Sequence, residues 1–318
     1  MQKLKHIPTL EDINASHEAI KSMIHRTPIL TSQSLNQITG AQLFFKCENF
    51  QKIGAFKMRG ASNAALRLTD AERAKGLATH SSGNHAQAVA LSAKLLGIPA
   101  YIVMPDTSPS IKIAGTKGYG AEVTFSQNTQ ASREQTLEAV VARTGATFIH
   151  PYDDYNVIAG QATAAKELIE DTNELDIILS PVGGGGLMSG TALTTHYLLP
   201  NAEVLGAEPQ EVNDAWRSFT TGQLQRNTTI NTIADGLRTN LSAKTFGIIS
   251  HHVNDILTVS EEAIIKAMRL CWERMKIIIE PSSAVPLAAI LTHPERFKGK
   301  KVGLILTGGN VDLQQLPF

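Results

Sequence analysis

Apolar residues come in short runs separated by amphipathic stretches. Runs that read as strands lie at 42–47, 77–80, 100–104, 121–124, 146–149, 176–179, 204–207, 256–259 and 302–306. Between them, apolar positions recur at helical spacing. Leu10, Ile13, Ala19, Ile20 and Ile24 predict a helix over 10–24 that ends at His25-Arg26-Thr27-Pro28. Further helices are expected over 84–96, 111–118, 130–143, 157–169, 187–199 (ended by Pro200), 261–275 and 282–291, and the stretch from 48 to 61 opens one running to about 68.

Strand and helix alternate four times between residues 76 and 149, which predicts a small parallel sheet with flanking helices. A turn-rich boundary, Pro151-Tyr152-Asp153-Asp154-Tyr155, separates it from a second α/β series. Residues 1–70 lack the tight alternation and are assigned to that second lobe. The expected architecture is α/β in two lobes, 1–72 with 154–318 and an inserted 73–153, each an open, mostly parallel sheet flanked by helices.

Composition narrows the partners. At 318 residues, 42% of them hydrophobic, the chain can build two cores. Formal net charge is zero, so there is no basic excess to bind a nucleic-acid backbone. No apolar run approaches the ~20 residues of a membrane span. The first residues carry no apolar leader, so no secretory signal is expected. Cys47 and Cys271 stand far apart and suggest neither a disulfide framework nor a metal knuckle. A reducing, cytoplasmic setting fits.

Four stretches carry candidate chemistry. In Ser180-Pro181-Val182-Gly183-Gly184-Gly185-Gly186-Leu187-Met188, a strand feeds four glycines into a helix. Glycines offer no side chain to pack, so the run is read as close backbone approach to an anion at a helix N-terminus, against a flexible surface turn. The P-loop pattern fails because Leu187 and Met188 follow Gly186, and the dinucleotide fingerprint fails in every register. This argues against a nicotinamide dehydrogenase and favours a small phosphate monoester. Lys57, after Gly54-Ala55-Phe56, is either a solvated charge or an amine for an aldehyde cofactor. Ser81-Ser82-Gly83-Asn84-His85 opens a helix after a strand; it is either a cap or a carboxylate site. Glu208 and Asp214 can join a backbone carbonyl around a hard cation, or form a solvated acidic turn. Thr307, after the last strand, falls where α/β folds collect ligands.

Together, FQKIGAFKMRGA, SSGNHAQA, VIAGQAT, PVGGGGLMSG, IADG, IEPSSA and LTGGNVDL resemble the fold-type II pyridoxal-phosphate enzymes, in particular the serine racemase and serine/threonine dehydratase family. The resemblance runs from about residue 20 to residue 313 with the motifs in family order. It implies the two-lobed, tryptophan synthase β-like fold and a pyridoxal 5'-phosphate cofactor. Lys57 would carry the cofactor and act as base on one face. Phe56 would pack against the ring, Asn84 would meet the ring hydroxyl, Thr307 would face the ring nitrogen, and Gly183, Gly184, Gly185, Gly186 and the Leu187 N–H would hold the phosphate. Ser81, Ser82, Asn84, His85 and Arg133 would surround the substrate. Glu208, the carbonyl of Val212 and Asp214 match a divalent-cation site for magnesium, calcium or manganese.

Two details point to the racemase branch: Ser82, where many threonine dehydratases carry Ala, and the acidic pair. Ala55, where Ser is usual, and Thr307, where Ser is more usual, are departures. No regulatory domain follows Phe318, so allosteric control of the longer biosynthetic deaminases is not expected. The resemblance also implies a homodimer, a nucleotide effector and a small hydroxy-amino-acid substrate, with racemisation and β-elimination competing. Dehydration of 3-hydroxyaspartate is the alternative within the family, with Arg133 as the cation for a second carboxylate. A non-catalytic phosphate-ligand binding protein would keep the glycine loop but has no need for Lys57.

Overall fold

A computed structural model describes residues 1–108, 110–172 and 174–318. The strands are β1 Ile29–Leu30, β2 Gln42–Cys47, β3 Leu77–His80, β4 Ala100–Pro105, β5 Glu122–Ser126, β6 Thr147–Phe148, β7 Ile177–Pro181, β8 Glu203–Pro209, β9 Asp255–Val259 and β10 Lys301–Leu306. The helices are α1 Leu10–Ile20, α2 Gln33–Thr39, α3 Lys57–Leu66, α4 Asp70–Lys75, α5 Asn84–Leu96, α6 Ser110–Gly118, α7 Gln130–Thr144, α8 Tyr155–Thr172, α9 Gly186–Leu198, α10 Asp214–Thr221, α11 Ala243–His252, α12 Glu261–Leu270, α13 Pro281–Thr292 and α14 Pro294–Phe297.

Six strands form one sheet, ordered β1-β2-β10-β7-β8-β9, and four form another, ordered β5-β4-β3-β6. Every neighbouring pair is parallel except β1 with β2. Parallel strands are buried on both faces, and here the alternation sorts them. Leu179, Val302, Leu304 and Leu306 join α12 and α13 in one core, while Ile178 and Ile305 pack with Ala164, Ala165 and Leu168 of α8 on the other face. In the smaller sheet, Leu77, Ile102 and Met104 pack against α3 and α5, and Ala78 and Val103 against α7.

Helix α3, which opens at Lys57, is anchored from behind by a fully buried ion network. The Arg59 Nε donates to Glu48 Oε2 at 2.7 Å, and its Nη1 and Nη2 donate to Glu167 Oε1 and Oε2 at 2.8 and 2.7 Å. Lys46 Nζ lies 2.7 Å from the same Glu167 carboxylate and donates to the Thr27 carbonyl at 2.7 Å. Each charge is paired and hydrogen-bonded, the condition under which burial of ions is tolerated.

Local differences from the sequence reading have physical causes. The stretch expected to be helical from 48 instead makes two 3-10 turns, Glu48–Phe50 and Lys52–Gly54, because Ile53 and Gly54 sit at φ 61° and 69° and cannot continue a right-handed helix. Helix α12 ends at Leu270 and passes into a π turn over Cys271–Met275. The acidic stretch read as a possible solvated turn is a 3-10 turn, Gln210–Val212, leading into α10.

Candidate active site

A cavity of about 530 Å³ opens at the carboxyl ends of the strands. Residues 81–84 enter it after β3, residues 183–187 after β7 and Thr307 after β10. Lys57 reaches the same cavity because the segment before it is tied to the one after β10. Ala55 bridges Gly308, the Phe56 N–H donates to the Thr307 carbonyl at 2.9 Å, and the Gly309 N–H donates to the Gly54 carbonyl at 2.9 Å. Ala55 is fully buried in that clamp, so its methyl group packs in the core.

Lys57 Nζ donates to the Pro151 carbonyl at 2.9 Å and lies 5.2 Å from the centre of the Phe56 ring. Burial lowers its pKa to about 8, opposed by the Glu280 carboxylate. A usable fraction of the amine is therefore neutral near physiological pH, as a nucleophile or base requires. Thr307 is held at 3.0 Å from the Ser283 hydroxyl, which is itself fixed by the N–H and C=O of Gly308, each at 2.7 Å.

Among the described residues, the backbone N–H groups from Gly183 to Leu187 have no protein acceptor, as expected at the start of α9. The expectation that the glycines serve no packing role is corrected. A Cβ on Gly184 would lie 2.3 Å from the Tyr152 ring, one on Gly185 2.7 Å from Leu241, and one on Gly183 3.1 Å from the Gly236 carbonyl. The missing side chains let neighbouring walls close on the loop, and Gly185 also needs its φ of 84°. Both roles follow from one run.

Ser81, Ser82, Asn84, His85 and Arg133 all line the cavity. Ser82 is exposed in the open cleft, and the Ser81 hydroxyl accepts from the Gly83 N–H at 3.2 Å. The Asn84 amide donates to both Glu280 oxygens at 3.0 and 3.1 Å and accepts from Asn310 at 2.8 Å. His85 is buried with Nε2 2.9 Å from the Ile149 carbonyl, and burial holds it well below the usual histidine range. Its ring therefore brings no positive charge to a carboxylate; its backbone N–H, in the first turn of α5, is the group available there. Arg133 Nη2 donates to Gln130 at 2.9 Å, while its Nε is buried without a partner among the described residues.

Several cavity residues were not singled out from the sequence. Glu280 is pushed up to about 7 by burial and by Asp235. His150 is pushed down to about 4 by burial, and His80 is lowered for the same first reason. Lys112 of α6 meets Asp235 at 2.7 Å across the cavity mouth. Glu280 and Asp235 stand inside IEPSSA and IADG, so the signal was present in motifs that had been noticed whole.

Glu208, Val212 and Asp214 lie apart from the cavity, fully buried. Glu208 accepts from the backbone N–H of Ala215 at 3.1 Å and of Trp216 at 2.9 Å. Asp214 accepts from Asn227 at 2.7 Å and from the Leu241 N–H at 2.8 Å. No Lys or Arg forms an ion pair with either carboxylate among the described residues, and no group of three or more His, Cys, Asp or Glu gathers there. Burial pushes Glu208 well above the usual carboxylate range, with Asp214 adding to the rise, and pushes Asp214 up to about 6; Arg217 opposes both shifts. Such a pair carries charge at little cost only with a cation beside it, and its oxygens are donors of the hard, oxygen-binding type.

The pyridoxal-phosphate dependent enzyme family matches residues 20–308. Among curated proteins, the beta-hydroxyaspartate dehydratase of Paracoccus denitrificans is 52% identical over 313 residues, covering 98% of this chain and 99% of that one. The serine racemase of Dictyostelium discoideum is 48% identical over 312 residues, covering 97% and 96%. Its crystal structure superposes with a TM-score of 0.92 over 96% of this chain and 99% of that one. A threonine deaminase from T.th. does so with a TM-score of 0.92 at 44% identity, covering 96% and 99%. Lys57 and the glycine run after β7 line one cavity between two mostly parallel sheets, and the chain belongs to the fold-type II pyridoxal-phosphate dependent enzymes.

Proposed function

We propose that this enzyme racemises serine and dehydrates L-serine and L-threonine, giving D-serine and the keto acids pyruvate and 2-oxobutanoate with ammonia. The observation that carries the reading is the convergence of Lys57 and Ser82 on one cavity with the glycine run and Thr307. The names of the relatives support the reaction class.

The free N–H groups of residues 183–187 would hold the phosphate, Thr307 the ring nitrogen and Asn84 the ring hydroxyl, with Phe56 against the ring and Lys57 as the covalent attachment. The bound cofactor supplies an electron sink for charge developing at the substrate Cα. Lys57 takes or returns the Cα proton on one face, and the exposed Ser82 hydroxyl does so on the other. The N–H groups of Asn84 and His85 and the hydroxyl of Ser81 orient the substrate carboxylate at the start of α5, with Arg133 at the rim. Loss of the β-hydroxyl needs Lys57 alone; inversion needs both faces. Residues 73–153 act as the lobe that closes over the substrate, drawn in by the Lys112–Asp235 pair. A divalent cation held by Glu208, Asp214 and the Val212 carbonyl stabilises the larger lobe. A cytoplasmic homodimer responsive to a nucleotide completes the reading.

A second substrate class has an observation of its own. Arg133, whose buried Nε has no partner among the described residues, offers a partner for a second carboxylate, and the 52%-identical relative is named for beta-hydroxyaspartate. Assaying L-serine, L-threonine and both 3-hydroxyaspartate diastereomers side by side separates the two. Higher kcat/KM on serine and threonine supports the main reading. Turnover confined to hydroxyaspartate, collapsing in Arg133→Gln, replaces it with the second.

A further inference from the structure

Helices α9 and α11 pack side by side, and α9 starts at the cavity. At their start, a Cβ on Gly185, the N-cap of α9, would lie 2.7 Å from Leu241 and 2.8 Å from Thr245, in the first turn of α11. At their end, the imidazoles of His196 and His252 face each other with ring centres 4.8 Å apart and planes inclined at 54°. His196 is exposed and His252 half-buried. Neither ring has a hydrogen-bond partner among the described residues, whereas the adjacent His251 is committed to the Gly247 carbonyl at 2.7 Å. We propose that His196 and His252 form a two-imidazole site for a borderline transition-metal dication such as zinc, copper(II) or nickel(II).

Three physical points converge. With metal–nitrogen bonds of ~2.0–2.1 Å, the ion sits about 3.2 Å from each ring centre, so two ligands at about 100° have centres roughly 4.9 Å apart. The ring centres stand 4.8 Å apart, a separation such a bite spans once a nitrogen of each ring turns toward a common point. Both helices present their carbonyl ends here, and the two dipoles favour a cation. Two nitrogen donors select the borderline metals over magnesium or calcium, which separates this site from the oxygen donors of Glu208 and Asp214. Water fills the remaining positions. The ion would clamp the far ends of the two helices whose near ends shape the glycine loop.

The test is calorimetric titration of zinc chloride into tag-free holoenzyme held in excess magnesium, with thermal melts on the same samples. The expected result is one saturable equivalent per chain and a zinc-dependent rise in melting temperature. His196→Gln and His252→Gln should each weaken zinc by about tenfold or more, since even outer-shell losses cost that much. His251→Gln should titrate as wild type, and all variants should melt as wild type without zinc. Absence of saturable zinc binding would overturn the site. So would unchanged binding in both ligand variants, or loss in His251→Gln with retention in His252→Gln.

Discussion

Lys57 is a lysine made reactive by its surroundings. Burial disfavours the ammonium and lowers its pKa from the usual lysine value to about 8, with Glu280 restraining the shift. The neutral amine is the form that attacks an aldehyde, so cofactor-free protein should capture pyridoxal phosphate about tenfold faster per pH unit below 8 and level off above it. Rapid-mixing absorbance over pH 6–11, roughly, reads this directly; a midpoint near an ordinary lysine would contradict the burial argument. The linkage has a matching sign. Between about 8 and the usual lysine value, the unfolded chain binds more protons at this site, so its contribution makes the cofactor-free fold more stable as pH rises through that window. Lys57→Ala should abolish turnover while the N–H groups after β7 still retain phosphate-bearing ligand. Borohydride reduction and peptide mapping that labelled another lysine would displace Lys57 from its role.

How much of this was legible residue by residue follows from distance along the chain. Lys57, Ser82, Asn84 and Thr307 each stand in a short motif at a strand end or helix start, where local pattern and function coincide. Glu280 and Pro151 meet Asn84 and Lys57 only after the chain has crossed between sheets, and no local pattern encodes those contacts. The packing role of the glycines was hidden for the same reason, because Tyr152 is supplied from the turn before α8.

Among the elements, nine of the ten strands were legible, the central ones because burial on both faces makes them near-continuous apolar runs; β1, two half-buried residues, was not. Helices α2, α4, α10, α11 and α14 were not read. α2, α4, α10 and α14 are short, with few apolar positions for periodicity to stand out, while α11 is as long as α12 and its start is marked by a capping box, Ser242 with Thr245, rather than by a turn residue. α4 nonetheless carries a capping box, Thr69 with Glu72, that marks its start in the sequence. Two predictions belong at this scale. Arg59→Met, at the back of α3, leaves Glu48 and Glu167 buried with a missing partner and should cost about 3–5 kcal/mol in reversible urea unfolding. A cost below about 1 kcal/mol, the range of a surface pair, would mean the network does not anchor α3. At the entry to α10, chelator should lower the melting temperature and added magnesium restore it by mass action. Glu208→Gln should abolish that response; a full response in the variant would remove the cation from this position.

At the scale of the whole molecule, two parallel sheets meet so that loops from the carboxyl ends of β3, β7 and β10 face one cavity. That arrangement puts a lysine and a serine hydroxyl in the same cavity, and the division between inversion and elimination should follow from which of them is present. The most direct measurement incubates holoenzyme with L-serine in deuterium oxide and analyses recovered serine and keto acid by chiral chromatography and mass spectrometry. Wild type should yield D-serine with one deuterium at Cα, alongside pyruvate. Ser82→Ala should lose D-serine formation by about 10²–10⁴-fold, the usual cost of a missing general acid, while pyruvate formation falls far less. Equal losses of both products would leave Ser82 only a positioning group. Wild-type enzyme that returned L-serine unlabelled, with neither D-serine nor pyruvate, would contradict the proposed activity itself.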